Sequence, residues 1–232
     1  MRQAGRYLPE YRALRARMSL LDLCKTPEAA AEITVRAVEK LGVDAAIIFA
    51  DILLVTEPMG VGLAFVKGEG PVIPRPVRTR EDVARLRDVA PAEGVPFVFD
   101  AVRLARRSLA GRVPLIGFAG APFTVASYLV EGAPSQDFLL TKRLMHADPE
   151  TWHALMERLA RLTSQYLNGQ IAAGADAVQL FDSWISCLSP DDYRRFVLPH
   201  TRRVIADLTP SVPVIHFGTG TAGLLELMLE AG

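Results

Sequence analysis

The chain has 232 residues, half of them hydrophobic and 22% charged, enough for one substantial core of ordinary globular composition. Its formal net charge is zero, which argues against a nucleic-acid binder, whose domain usually carries a basic excess. Two distant cysteines, Cys24 and Cys187, offer no disulfide framework and no Cys-x-x-Cys metal pair; with no signal peptide ahead of the first motif and no apolar run of membrane-spanning length, a cytoplasmic protein is expected.

The first segment is locally basic. Arg2, Arg6, Arg12, Arg15 and Arg17 face a single acid, Glu10, in a chain whose charges otherwise balance. Arginine is permanently charged and its planar fork matches a carboxylate or phosphate two bonds at a time. Gly5, between Arg2 and Arg6, would let an anion approach the backbone. The segment reads either as a polyanion-binding stretch or as a solvated basic helix; the Tyr7-Leu8-Pro9 interruption favours the former.

Further along, short apolar runs recur at Asp44–Phe49, Val113–Phe118, Ala175–Phe181 and Val212–Phe217. Their β-branched and aromatic content, without alternation, predicts strands buried on both faces. Helices follow them. Thr26-Pro27, Asp148-Pro149 and Ser189-Pro190 each pair an N-cap residue with proline at the first helical position. Thr79 predicts another cap, for a helix through Arg87. Gly42 and Gly174 stand where helices should end. Gly60–Val72, rich in glycine, reads as a loop or a small hairpin. Strands alternating with helices predict a parallel sheet, either open and doubly wound or a (β/α)8 barrel. The barrel is preferred because Arg2–Arg6, Asp51, Gly120–Tyr128 and Asp182–Ser183 each follow an apolar run, the side on which barrels build their sites. No Gly-x-Gly-x-x-Gly follows a strand, which lowers a dinucleotide-binding reading.

Five blocks carry a resemblance. Arg2-Gln3-Ala4-Gly5-Arg6-Tyr7-Leu8-Pro9-Glu10-Tyr11-Arg12 is similar to the N-terminal signature of the uroporphyrinogen decarboxylase family. Phe49–Leu53, Gly117–Thr124, Tyr128–Gly132 and Gln179–Trp184 resemble further blocks of that family in the same order. The resemblance implies a TIM-barrel α/β fold in a single domain over residues 1–232. About five of eight βα units are counted, which leaves the barrel incomplete, with part of the first strand and the last three units absent. It implies a carboxy-lyase that converts the four acetate side chains of uroporphyrinogen III to methyls, giving coproporphyrinogen III, with no cofactor and no metal. It also implies a homodimer when full length. Two other readings stay open: a zinc-dependent methyltransferase of the same superfamily, and an inactive porphyrinogen-binding fragment.

The same resemblance assigns the site. Arg2 and Arg6 bind substrate carboxylates, with Gln3 between them as a neutral donor. Arg2 is also a possible proton source, although a group with pKa above 12 is a poor general acid. Asp51 faces the pyrrole N–H groups at the centre of the macrocycle, or else caps the turn that follows it. Tyr128 reaches a substrate carboxylate and Asp51. Phe181 packs near the macrocycle and Ser183 bonds a propionate. Catalysis is expected of Asp51, Tyr128 and Arg2. Asp182 reads as a cap, and His216 as a satisfied core histidine; His146, His153 and His200 fall on predicted helices as surface or packing residues.

Overall fold

A computed structural model of the chain describes residues 6–66, 68, 70–210 and 212–232. The N-terminal segment forms α1 (Pro9–Arg15), α2 (Leu20–Lys25) and α3 (Pro27–Leu41), after which the first strand, β1 (Ala46–Ile47), enters the sheet. A rim excursion follows, containing a 3-10 turn over Leu54–Met59 and the hairpin strands β2 (Ala64–Val66) and β3 (Gly70–Val72). The chain returns through α4 (Arg80–Arg85), α5 (Pro91–Gly94) and α6 (Pro96–Leu109) to β4 (Leu115–Gly120). Then come α7 (Pro122–Glu131), α8 (Leu139–Ala147), the long α9 (Pro149–Ala173) and β5 (Ala177–Phe181). Last are α10 (Pro190–Phe196), α11 (Leu198–Ala206), β6 (Val214–Phe217) and α12 (Leu225–Leu229).

The main sheet runs β1-β4-β5-β6, all parallel, and the hairpin β2-β3 forms a separate antiparallel pair. This is the sequential parallel order of (β/α) barrel strands, and the predicted α/β class and hairpin are both present. Three of the predicted strands are shorter in the sheet than in the sequence, and the fourth, expected over Val113–Phe118, keeps its length but is shifted to Leu115–Gly120. Asp44–Phe49 contracts to a two-residue ladder, because the pairing of β1 with β4 covers only Ala46 with Leu115 and Ile47 with Ile116.

The helix ends follow the sequence chemistry closely. Ser189 and Asp148 accept from the backbone N–H groups of Asp192 and Thr151, and Thr79 closes a reciprocal capping box with Asp82. The helix begun at Thr79 ends at Arg85, short of Arg87. Thr26 departs from expectation: its hydroxyl donates back to the Asp22 carbonyl at 2.8 Å and makes no cap to α3. Donating there points the side chain back toward α2, its oxygen accepts no N–H of the next helix, and Pro27 starts α3 without a side-chain cap. Gly42 and Gly174 end their helices with φ of 60° and 115°, where a side chain would be strained.

The core lies between sheet and helices. Leu115, Val178 and Leu180 are fully buried beneath α6 and α9, whose Val102, Ala105, Leu155, Leu159 and Leu167 are also fully or almost fully buried. The opposite sheet face carries Phe118, Gln179, Phe181 and Phe217, which line up across the strands through the registers Phe118↔Gln179 and Phe181↔Phe217. Edge-on ring contacts at 5.5 Å (Phe118–Phe181) and 5.4 Å (Phe181–Phe217) pack this face.

Candidate active site

The C-terminal ends of β1, β4 and β5 converge, and the predicted site residues follow from them. Asp51 stands just past β1. Its Oδ1 accepts the N–H of Leu53 at 2.9 Å, so the capping reading of this residue is realised in the structure. That bond occupies one oxygen only, and the side chain remains partly exposed. Burial pushes the carboxyl above its ordinary value; the Leu53 N–H and the Arg6 guanidinium pull it back down. Capping and a facing role for the carboxylate are thus compatible, because a carboxylate has acceptor capacity on both oxygens.

Gly120 ends β4 where the chain must pass close to that loop. A Cβ there would stand 2.7 Å from Val125 Cγ2 and 3.2 Å from Ile52 Cβ, closer than side chains normally approach. Glycine therefore lets the start of α7 pack against the Asp51 loop. Tyr128 sits within α7, not in a loop as its sequence context suggests. Burial and the negative charge of Asp51 together push its hydroxyl up to about 12, so it stays protonated and can donate. Among the described residues no hydrogen bond links Tyr128 directly to Asp51.

Past β5 the chain turns through Asp182, Ser183 and Trp184. The Trp184 ring lies 4.0 Å from that of Tyr128, centroid to centroid, and Phe138 contacts the same indole at 5.0 Å. Ser183 is half-buried and its carbonyl accepts from the Thr219 hydroxyl at 2.9 Å, which ties it to the loop after β6. Phe181 is buried within the aromatic face already described.

The structure thus brings Arg6, Asp51 and Tyr128 into one electrostatic neighbourhood, with Ser183 next to the Trp184 whose ring packs, tilted, against Tyr128. Arg6 is exposed, as a ligand-seeking guanidinium should be. Arg2 and Gln3 lie outside the described residues. Arg12, Arg15 and Arg17 are exposed, and Arg15 is spent on the Met18 carbonyl at 2.5 Å. Trp184 and Asp182 were not singled out as site residues from the sequence. The Phe-Asp-Ser-Trp block drew attention to Ser183, and nothing in spacing alone pairs residue 184 with residue 128.

Of the histidines, His146, His153 and His200 stand on helices as expected, with His200 buried. His216 is not the satisfied core histidine that its strand position suggests. Among the described residues neither ring nitrogen has a hydrogen-bond partner, and Nε2 faces the buried Asp182 Oδ2 at 3.5 Å. Cys24 is buried and its thiol is pushed up to about 12, which makes it inert; burial also raises Cys187. A cleft of about 840 Å³ between the Met59–Val61 turn, the Pro74–Val77 segment and α4, bordered by Arg75, Arg85 and Arg87, includes none of these site residues in its lining. Among the described residues no helix is long and apolar enough to cross a membrane, and no group of three or more His, Cys, Asp or Glu side chains is placed to hold a metal ion.

A parallel α/β sheet of barrel type, with an acid just past a strand end and a tyrosine and an arginine within range of its charge, is the architecture of a small-molecule enzyme site. The chain belongs to the uroporphyrinogen decarboxylase family, whose model matches residues 1–232. It is 59% identical to a protein named uroporphyrinogen decarboxylase from Sorangium cellulosum, over all of this chain and 66% of that protein. It is 55% identical to the protein of that name from Carboxydothermus hydrogenoformans, over all of this chain and 67% of that protein. The chain therefore spans about two thirds of the length of these relatives. A solved methyltransferase from Methanosarcina mazei superposes with a TM-score of 0.76 over 92% of this chain and 65% of that one. At 20% identity that likeness shows the fold alone.

Proposed function

We propose that the protein decarboxylates the four acetate side chains of uroporphyrinogen III to give coproporphyrinogen III, in haem biosynthesis. The observation that carries the reading is the Asp51 carboxylate just past a strand end, with Arg6 and Tyr128 both within range of its charge. The reaction requires little else of the protein. Protonating a pyrrole α-carbon turns the ring into a cationic electron sink beside the departing carboxylate. After CO2 leaves, the exocyclic carbon takes up a proton and the α-carbon gives back the one it received, so the pyrrole is restored and each acetate becomes a methyl for one proton consumed. No external cofactor is called for by this chemistry.

Asp51 accepts hydrogen bonds from the converging pyrrole N–H groups, and its charge stabilises the cation as it develops. Arg6, with Arg2 and Gln3, holds the acidic side chains of a substrate that carries eight carboxylates. Tyr128 donates to one of those carboxylates and Ser183 to a propionate. Phe181 lies against the macrocycle edge. Arg2 orients a carboxyl or a water that delivers the proton, which is chemically easier than giving up a guanidinium proton. The domain assignment, one barrel over residues 1–232 shared with further units in the full-length protein, goes with this reading, as do a homodimer and a cytoplasmic setting.

The test is to assay the full-length protein with uroporphyrinogen III after exhaustive chelation. Stepwise loss of four carboxyls, undiminished by chelation, is expected. Activity that vanishes and returns only with zinc would overturn the reading and favour the metal-dependent methyltransferase relative.

A further inference from the structure

Asp182 is fully buried and stands immediately before Ser183 and Trp184. Three different elements meet at this one residue. Its backbone N–H donates to the Phe217 carbonyl of β6 at 2.7 Å. Its Oδ1 accepts the Thr124 hydroxyl at 3.2 Å, and Thr124 lies on α7 one helical turn before Tyr128. Its Oδ2 faces His216 Nε2, from β6, at 3.5 Å. Tyr193 of α10, also fully buried, feels the same carboxylate and lies against Thr201 of α11.

Such a group is costly to keep. A buried carboxylate with one oxygen unpaired is destabilising, and a neighbouring imidazole whose two nitrogens lack hydrogen bonds adds to that. Packing alone would be served better by an apolar side chain at either position. The arrangement is explained if the pair keeps the Asp182–Trp184 turn in register with α7. The Thr124 bond holds Oδ1, and the His216 ring contact at 3.5 Å braces Oδ2. The turn cannot rotate without breaking one of them.

We infer that His216 and Asp182 are a positioning pair for the active site, holding Ser183 and the Trp184 ring against Tyr128 without touching substrate themselves. The inference rests on the decarboxylase reading above for its kinetic consequence, but the positional link to Trp184 stands independently of it.

The test uses the full-length protein with His216→Phe, His216→Gln and Asp182→Asn. His216→Phe keeps the ring volume and removes the donor; it is expected to lower kcat by about tenfold or more through misplacement of the site. His216→Gln restores a donor and should return kcat to within about threefold of the parent. Adding Ser183→Ala to His216→Phe should cost less than Ser183→Ala costs in the parent, since that serine is already displaced. The Trp184 emission should shift in His216→Phe and not in His216→Gln. Equal loss of stability in the two His216 variants, with kcat and KM unchanged, would overturn the inference and leave a merely structural pair. If His216→Phe does not fold, Asp182→Asn decides, because it preserves shape and removes the charge; unaltered kcat and KM there overturn the inference. A parent protein that fails to turn over uroporphyrinogen defeats the functional reading instead, and an unshifted Trp184 emission in His216→Phe then defeats the positioning link by itself.

Discussion

The side-chain amide of Gln170 holds the backbone of Phe118 from both sides: Oε1 accepts the Phe118 N–H and Nε2 donates to the Phe118 carbonyl, each at 2.9 Å. Gln170 is fully buried in α9, so one helix residue satisfies two backbone groups of β4 just before the strand reaches the site. Gly117 makes the approach possible, since a Cβ there would stand 2.6 Å from Gln170 Oε1.

Gln170→Leu should therefore destabilise the fold out of proportion to its size. It leaves two buried backbone groups unpaired, at about 1–3 kcal/mol each. Gly117→Ala should act through the same contact by forcing the amide away, with a cost of about 1–3 kcal/mol. Chemical denaturation of the full-length protein measures both, and the double variant should fall short of the sum because the two changes break one interaction.

Asp51→Asn keeps the side-chain shape and the acceptor for Leu53, so folding should be preserved. Turnover should drop by about 10²–10³, the usual loss for one electrostatic stabiliser of a developing charge. A variant with near-parental turnover would leave Asp51 as a cap and nothing more.

Because burial raises the Asp51 carboxyl and its ionised form is the useful one, the acid limb of kcat/KM should lie above the ordinary aspartate range near pH ~4. Activity should rise as pH increases through that limb. Removing the Arg6 charge with Arg6→Gln removes a group that lowers this pKa, so the limb should move to still higher pH. A profile that is flat from pH 4 upward in the parent would contradict the assignment.

Tyr128→Phe retains the ring packed against Trp184 and deletes only the hydroxyl. Hydrogen bonds to charged groups contribute about 1.5–3 kcal/mol, so kcat/KM should fall by roughly ten- to a hundredfold while thermal stability is nearly unchanged. Trp184→Ala should instead weaken both, since it removes the ring that Tyr128 rests on.

His200 and His153 share a contact of 2.8 Å between ring nitrogens, which admits one proton between the two rings and not two. Burial, and then the neighbouring His153, push His200 down to about 4; burial and then the Arg195 charge lower His153. Glu157, 3.8 Å from His200, and Arg203 border the pair, and Phe196 stacks on His153. A histidine held neutral in the fold but free to protonate when unfolded stabilises the protein fully above its unfolded value. That contribution is lost as pH falls from about 6.5 toward 4. Stability should decline through this window, before the capping carboxylates titrate, and His200→Phe should flatten the decline. Denaturation midpoints measured at half-unit pH intervals check it.

Much of this architecture was legible in the residues themselves. The β-rich runs, the Ser189-Pro190 and Asp148-Pro149 starts and the Gly42 and Gly174 stops are local, governed by one residue's dihedral preference or one side chain's reach. The same holds for the Gly60–Val72 hairpin. Asp51, Tyr128, Phe181 and Ser183 are legible through blocks of contiguous sequence; Asp51 and Ser183 come just after strands, Phe181 closes β5 and Tyr128 lies within α7. The Thr26 cap failed because its side chain points back toward α2 to donate to the Asp22 carbonyl, a choice that propensity cannot settle.

The sequence by itself determined the elements, their order and the family, because those depend on backbone chemistry and short motifs read along the chain. Only the tertiary structure decided which of these residues meet. Tyr128 and Trp184 are 56 positions apart, yet their rings lie 4.0 Å from each other. Asp182 and His216 become a buried, incompletely satisfied pair instead of a cap and a core histidine. Parallel strands are joined by long helical crossovers, so neighbouring strand ends belong to distant stretches of sequence. Register across the sheet, not spacing along the chain, sets which side chains share a site.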